Sequence, residues 1–527
     1  MRKLVLLAIN AKYVHSALAV WILSDAVKRY ASISHEVEVI EATIHQSDDE
    51  IARIIAAHKP DVVGISTYIW NGGKLQGLLT LLREHLPDAV FILGGPEASF
   101  NSDFWLESGA DYVVHGEGEQ KLPALLDQLA TGKTQELLPK KTSQFVDPYS
   151  DQYISTLKGK LAYLETSRGC PFKCAFCLSG EDEVRFFPIE MAKQQLLRLS
   201  KTGVKTIKLV DRTFNCNPKR AYELLGYVIS LDTNCCFHFE IAADLLNDET
   251  IALLETAQPG RIQFEAGLQS YHEPTLKAIL RKTDLEKAEK NINAILKFGN
   301  IHVHVDLIAG LPYETLEIFK TSFNKAYNIG AHNLQLGFLK LLHGSVLRNE
   351  ANERGIIYNE TPPYEIISSP WLSQKDLAEL KQTENALRQT YNKGRFLSTL
   401  NHVLSVLHLD PYDLFSMIGK AVANHGMPLE AYAEELYTCL CKIIEPDEIL
   451  GYMICDWLGM VRGKNMPGFM RKPDTKRKAV IPIVEKILNR KICREEIAFL
   501  PSGKIIYVDV EDRDIVTGLY KVYNLDQ

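Results

Sequence analysis

Apolar runs of strand length alternate with amphipathic helical stretches from the first residues to about residue 135, and this rhythm restricts the fold more than any other feature. KLVLLAIN, EVEVIEATI, DVVGISTYI, AVFILGG and DYVVHGEGE read as strands. HSALAVWILSDAVKRYA, DDEIARIIAAHKP, GGKLQGLLTLLREHLP and QKLPALLDQLATG carry apolar residues at helical spacing. Strands regularly separated by helices imply parallel pairing with both faces of the sheet covered. The alternation resumes over residues 161–345, where LAYLETSRG precedes what reads as six or seven β/α units, the pattern of a full or partial barrel. Residues 136–160 are polar, contain two prolines and read as a linker. Beyond 346 the pattern is mainly helical, with strand-like terminal segments turning at Ser502-Gly503. The expected class is α/β: a Rossmann-like parallel-sheet domain over 1–135, a partial (β/α) TIM-type barrel over 161–345, and a mainly α-helical C-terminal domain over 346–527.

A chain of 527 residues is too long for one core and predicts two or three domains. Its formal net charge of −7 gives no support for a globally basic nucleic-acid binder. The local run RKPDTKRK at 471–478 reads as a solvated surface loop. MRKLVLLAIN begins as an export signal would, but the apolar run is short and is followed by Asn10, Lys12 and His15 without a clear cleavage site. Nothing approaches the length of a membrane span. Ten cysteines in a chain read as unexported are expected to be reduced thiols or ligands, and the expected location is the cytoplasm.

Parallel sheets bind ligands beyond the carboxyl ends of their strands. Ser66, Thr67, Gly94, Gly95 and the run His115-Gly116-Glu117-Gly118-Glu119 lie there in the first domain. The glycines either admit a ligand close to the backbone or simply make tight turns. No G-x-G-x-x-G follows the first strand, which argues against an ordinary nicotinamide site. In the barrel region, polar residues end nearly every strand, where such folds place their chemistry.

Cys170, Cys174 and Cys177 are spaced C-x3-C-x2-C, and the next cysteine is Cys216. A structural zinc site wants four ligands, usually as two C-x2-C knuckles, and this stretch has one. A redox C-x-x-C would use Cys174 and Cys177 and leave Cys170 without a role. A cubane iron–sulfur cluster takes one thiolate per iron, so three cysteines leave one iron with an open position. Phe176 can cover such a cluster, although Phe172 and Phe176 equally suit a core.

The stretch ETSRGCPFKCAFCLSG, residues 165–180, resembles the radical S-adenosylmethionine (SAM) superfamily. The resemblance implies a 4Fe-4S cluster on Cys170, Cys174 and Cys177 whose unique iron chelates SAM, and one-electron cleavage of SAM to a 5′-deoxyadenosyl radical. It further implies SAM contacts from Asp211 and Asn215 at the second strand end, Glu240 near the ribose, Glu265, Gln269 and Ser270 at the next strand end, and the stretch Asp306 to Pro312, with Gly310, against the adenine. A parallel-sheet domain directly before such a barrel resembles the cobalamin-binding domain of one subgroup. STYIWN, LGGPEAS and VHGEGE then correspond to loops that embrace the corrin and its nucleotide tail, through Ser66, Thr67, Gly94, Gly95, Gly116, Glu117 and Gly118. The D-x-H-x-x-G motif that gives cobalt a lower histidine ligand in many cobalamin proteins is absent. His15 stands nearest its place and is expected to make a local hydrogen bond rather than ligate cobalt. The tail resembles an uncharacterised C-terminal domain found in one branch of the subgroup.

These cofactors together imply methyl transfer to an unactivated carbon. The alternatives are a radical rearrangement, cyclisation or oxidation, or a protein that only senses its cofactors. A tRNA methylthiolating enzyme is disfavoured, because the first 169 residues hold no cysteine for a second cluster. The implied partners are a small-molecule substrate and an external one-electron reductant such as flavodoxin or ferredoxin. Cys235-Cys236 reads as a buried pair at a strand start, and Cys439 and Cys441 do not share a helix face. Tyr364, Trp371 and Pro362-Pro363 read as interdomain packing, with a substrate entrance as the alternative.

Overall fold

The computed structural model describes residues 2–132, 145–181, 183–422, 426–461, 466–471 and 476–525. Residues 136–144 of the linker and 472–475 of the basic run lie outside them. The chain divides into two compact units, Met1–Ile241 with Ile279–Arg281 and Leu339–Ile367, and Ala242–Ala278 with Lys282–Phe338 and Ser368–Gln527.

The first unit begins with β1 (Arg2–Asn10), α1 (Leu18–Tyr30), β2 (His35–Thr43), α2 (Asp48–Ala57), β3 (Val62–Ser66), α3 (Gly72–His85) and β4 (Val90–Gly94). α4 (Pro96–Phe100), α5 (Ser102–Glu107), β5 (Tyr112–Val114) and α6 (Gly118–Thr131) follow. The sheet is parallel in the order β2-β1-β3-β4-β5, with Leu4 beside Val62 and Ile65 beside Leu93. Val5, Leu7, Val63, Ile65, Phe91 and Leu93 form one core with residues of α2 and α3. Leu4, Leu6 and Ala8 point to the opposite face and are equally buried, so both faces are covered as the alternation requires. Ser47 caps α2 by accepting from Glu50 N, and Asp48, Asp49 and Glu50 complement the helix dipole. The short helices α4 and α5 were not foreshadowed by apolar periodicity. Pro96 fixes the first position of α4, and Trp105 of α5 is buried in the core.

Gly95 joins β4 to α4 at φ +104°, and a Cβ there would stand 2.5 Å from the Thr67 carbonyl oxygen. Gly95→Ala is therefore expected to cost about 1–3 kcal/mol, read as a lower urea midpoint at unchanged m-value.

Residues 145–160 contribute α7 (Asp151–Thr156), capped by Ser150, and bury Tyr149, Tyr153 and Leu157. Tyr153 stacks on Trp21 of α1 at 4.9 Å, and Tyr149 Oη donates to the Tyr163 carbonyl at 2.6 Å. Next come β6 (Ala162–Leu164), β7 (Ser167–Arg168), β8 (Arg185–Phe186), α8 (Ile189–Ser200), β9 (Thr206–Leu209), α9 (Pro218–Ser230) and β10 (Cys236–Ile241). β6, β9 and β10 pair in parallel, and β7 pairs antiparallel with β8. Residues 339–367 return as a strap whose arms are joined by Leu341 N to Tyr364 O and Ile366 N to Leu339 O. The strap lies on the first domain, with Pro362 against Gly72 and the Tyr364 hydroxyl donating to buried Glu97.

The second unit holds α10 (Asp248–Glu255), β11 (Ile262–Gln269), α11 (Glu273–Ala278), α12 (Leu285–Phe298), β12 (His302–Ala309), α13 (Leu316–Asn328) and β13 (Asn333–Phe338). β11, β12 and β13 are parallel, and β11 and β12 alternate strictly between buried apolar and half-buried, mostly polar residues. Among the described residues five such strands follow β6, fewer than the spacing implies, because the chain after Phe338 forms the strap instead of another β/α unit. The remainder is mainly helical and ends in a three-stranded antiparallel sheet with its first turn at Ser502-Gly503. No helix among the described residues is long and apolar enough to cross a membrane.

Candidate cofactor site

The cysteine loop is anchored before it begins. Asp211, 1% exposed, accepts from Thr166 N at 3.2 Å, from Thr166 Oγ1 at 2.9 Å and from the Ser167 hydroxyl. Burial pushes the Asp211 carboxyl up and these bonds oppose it. Within the loop Cys177 N donates to Cys174 O, Ala175 N to Ile279 O and Leu347 N to Ala175 O, each at 2.9 Å. Gly180 packs so closely on the Phe172 carbonyl that no Cβ fits.

Each loop sulfur has a polar neighbour. The Thr213 hydroxyl shares a hydrogen bond with Cys170 Sγ at 3.4 Å, Ser179 N donates to Cys177 Sγ at 3.4 Å, and Arg281 Nη1 donates to Cys174 Sγ at 3.7 Å. Burial pushes the Cys174 thiol up and the Arg281 guanidinium opposes it. All three cysteines are free thiols. Among the described residues no three His, Cys, Asp or Glu side chains are grouped as a single bound ion requires. A cubane offers a separate iron to each thiolate, and its sulfurs take hydrogen bonds of this kind, so the donor set fits a cluster better than zinc. Phe176 is half-buried between Cys174 and Cys177. Cys216, distant in sequence, stands on the turn after Thr213, and its thiol is raised by burial and by the nearby charges of Cys170 and Asp211. Asn215 is buried in the same turn, and Glu240 pairs with Lys208 at 3.2 Å.

At the carboxyl edge of the first sheet, Thr67 stitches two strand ends together. Its amide and hydroxyl donate to Gly94 O at 2.7 and 2.9 Å, and its hydroxyl accepts from Ala98 N at 2.9 Å. Ser66 and Thr67 lie where strand order reverses between β1 and β3, the place where open α/β sheets take ligands. Gly116 N donates to Ser99 Oγ at 3.2 Å, and Gly118 opens α6. Glu117 and Glu119 instead turn to the start of the cysteine loop. Arg168 Nη2 lies 2.5 Å from Glu119 and 2.8 Å from Glu165, Arg168 Nη1 lies 3.5 Å from Glu117, and Arg185 also pairs with Glu117. Burial pushes the Glu165 carboxyl up and Arg168 pulls it down. The sequence reading did not find this ion network. His15 makes the expected local hydrogen bond, its amide donating to Lys12 O at 3.2 Å, and its Nδ1 also lies 2.6 Å from the hydroxyl of Tyr163.

In the second unit the strand ends carry their own polar set. Gln269 sits at φ +72° with Oε1 buried and lacking a partner among the described residues. Ser270 Oγ and Ser322 Oγ donate to Glu314 Oε1 at 2.5 and 2.9 Å. Glu265 lies on the half-buried face of β11, Asp306 on that of β12, and Gly310 follows β12 at φ +96°. Glu314 escaped the sequence reading; its one signal is a carboxylate just past the Gly-Leu-Pro strand end. It is fully buried, and burial pushes its carboxyl from 4.5 up to about 7. A carboxyl raised in the folded state binds its proton more tightly there than in the unfolded chain. The Glu314 contribution to stability is then full below pH 4.5 and is lost as pH rises to about 7, by up to about 3 kcal/mol at 1.36 kcal/mol per unit. Glu314→Gln should flatten this slope, checked by urea midpoints at pH 5 and pH 8.

Comparison with known proteins gives three family matches. Residues 4–126 match the B12 binding domain, residues 164–326 the radical SAM superfamily, and residues 352–501 a protein of unknown function (DUF4080). The 2-(S-pantetheinyl)-carbapenam-3-carboxylate methyltransferase of Streptantibioticus cattleyicolor is 25% identical over 311 residues, 52% of this chain and 46% of that protein. The anaerobic magnesium-protoporphyrin IX monomethyl ester cyclase of Rubrivivax gelatinosus is 23% identical over 314 residues, 53% of this chain and 56% of that protein. The chain thus spans about half the length of these curated relatives. The solved structure of the radical SAM methyltransferase TsrM from Kitasatospora setae, with cobalamin and a [4Fe-4S] cluster bound, superposes with a TM-score of 0.56 at 17% identity, covering 69% of this chain and 78% of that one. At that identity the likeness is one of fold.

Proposed function

The chain belongs to the cobalamin-binding branch of the radical SAM superfamily, and on that premise we propose that it cleaves SAM reductively and uses the 5′-deoxyadenosyl radical to transfer a methyl group to an unactivated carbon. When bound, a 4Fe-4S cluster supplies the electron for that cleavage and cobalamin carries the methyl group. The observation that carries this reading is the C-x3-C-x2-C loop in which every sulfur has a hydrogen-bonding neighbour.

Cys170, Cys174 and Cys177 hold the cluster, and Phe176 shields it. Asp211 acts from beneath by fixing Thr166 and Ser167 at the entrance to the loop. Asn215, Glu240, Glu265, Gln269, Ser270, Asp306 and Gly310 hold SAM. Gln269 is the best suited for this, since its buried carbonyl oxygen lacks a hydrogen-bond partner among the described residues. Ser66, Thr67, Gly94, Gly95, Gly116, Glu117 and Gly118 form the edge that takes cobalamin, with Glu117 acting from a side chain already held by Arg168 and Arg185. An external one-electron donor of the flavodoxin or ferredoxin kind completes the set.

The test starts with the anaerobically produced protein loaded with hydroxocobalamin. About four irons and about one cobalt per chain are expected. Zinc without iron would overturn the reading of the three cysteines, and iron without cobalt would overturn the cobalamin assignment. Strong reduction with SAM and a substrate should then give 5′-deoxyadenosine and S-adenosylhomocysteine in equal amounts. Likeness to the cyclase favours a second reading, radical cyclisation or oxidation, for which 5′-deoxyadenosine appears without S-adenosylhomocysteine.

A further inference from the structure

We propose that Arg281 sets the reduction potential of the group on the cysteine loop, raising it through a charged hydrogen bond to the Cys174 sulfur. This rests on the cluster reading given above and goes beyond it by assigning a tuning residue outside the cysteine motif.

Three residues, Ile279–Arg281, belong to the first unit while the chain on either side belongs to the second. They touch the cysteine loop at several points. Ile279 O accepts from Ala175 N at 2.9 Å, Arg281 Nη1 donates to Cys174 Sγ at 3.7 Å, and the guanidinium lies 5.4 Å from the centre of the Phe172 ring. Leu280 between them takes a left-handed conformation at φ +56° and is 53% exposed. A non-glycine residue in that region is strained, and strain of this kind persists where the surroundings impose it. Here turning Leu280 outward lets both of its neighbours face the loop.

The other two sulfurs have neutral neighbours, the hydroxyl of Thr213 and the amide of Ser179. Arginine keeps its charge at any accessible pH, so Cys174 faces a permanent cation. Cys174 is also the buried member of the three, where charge is poorly screened by water. Reduction adds one electron from the external donor, breaks no bond in the protein, and makes the cluster and its thiolates more negative. A cation and an N–H···S bond stabilise that state more than the oxidised one, so the potential rises. Hydrogen bonding to sulfur and net charge are the levers by which proteins tune such clusters. The neighbouring Phe172 ring holds the guanidinium in place by a cation–π contact.

The test compares the unchanged protein with Arg281→Met, Arg281→Gln and Arg281→Lys, each reconstituted anaerobically. Iron is counted first, and the midpoint is then measured by redox titration followed by electron paramagnetic resonance, without SAM. The Met and Gln variants should titrate at more negative potential than the unchanged protein, with Lys closer to it. Full iron with an unmoved midpoint in Met or Gln overturns the role of Arg281. If the Met variant holds no iron, the Lys and Gln pair decides, and equal midpoints overturn the proposal. An unchanged protein that takes up no iron would instead sink the function proposed above.

Discussion

Cys174→Ala protein, reconstituted anaerobically, is expected to lose its iron and to cleave SAM at least about 100-fold more slowly than the unchanged chain. Removal of a partner outside the ligand set typically costs 10–100-fold in metal affinity or activity, and removal of a ligand itself costs more. Cys174 is the informative choice because the main chain around it is tied independently of its sulfur. Ala175 donates to Ile279 and accepts from Leu347, and Cys174 O accepts from Cys177 N. The variant should therefore still fold and retain cobalamin, which separates loss of the cluster from loss of the protein. A variant that keeps its irons and cleaves SAM normally would remove Cys174 from the ligand set.

Arg168→Met should destabilise the protein by about 3–5 kcal/mol, because it breaks a buried ion network by removing one partner. Glu119 and Glu165 would lose their 2.5 and 2.8 Å contacts with the guanidinium, and Glu117 would keep Arg185 alone. Glu119 is 5% exposed and has little water to turn to. Without Arg168 the burial that pushes the Glu165 carboxyl up goes unopposed, so the cost should shrink as pH falls below the carboxylate range and grow as it rises. Urea denaturation at two pH values measures this. Adding Glu119→Gln to Arg168→Met should cost less than the sum of the two single changes, by about 0.5–3 kcal/mol, since the residues share one interaction. A loss under about 1 kcal/mol would show that water already screens the network. The network joins the run after β5 to the residues directly before Cys170, so a second readout is the iron content of the same variant.

The elements of the first domain were legible because each is written in local periodicity: the apolar run of β1, the spacing of α3, the Gly-Gly-Pro stop after β4. The cysteine loop stands out for a similar reason, since three cysteines fall within eight residues. What was missed depends on pairs far apart in sequence. Arg168 meets Glu117 and Glu119 about fifty residues away, and Arg281 meets Cys174 across 107 residues. No period or spacing marks such partners until the fold brings them together. The expected linker 136–160 includes Tyr149 and Tyr153, whose burial its polar residues hide; Tyr153 stacks on Trp21 of α1 from a helix only six residues long. Glu314 illustrates the same limit: a carboxylate beside Tyr and Thr looks exposed in a sequence, and only Ser270 and Ser322 closing on it make it fully buried.

The strap has a consequence for how the protein is made. Tyr364 reaches Glu97 across 267 positions. At about 5–20 residues per second, a ribosome that has released Glu97 needs on the order of ten to fifty seconds to deliver its partner. All five strands of the first sheet are synthesised by then, since the last ends at Val114. The nascent domain can therefore close its core early while Glu97 waits for its Tyr364 partner. The first sheet is thus completed by a piece synthesised long after it, and the order of translation leaves a window before the strap arrives.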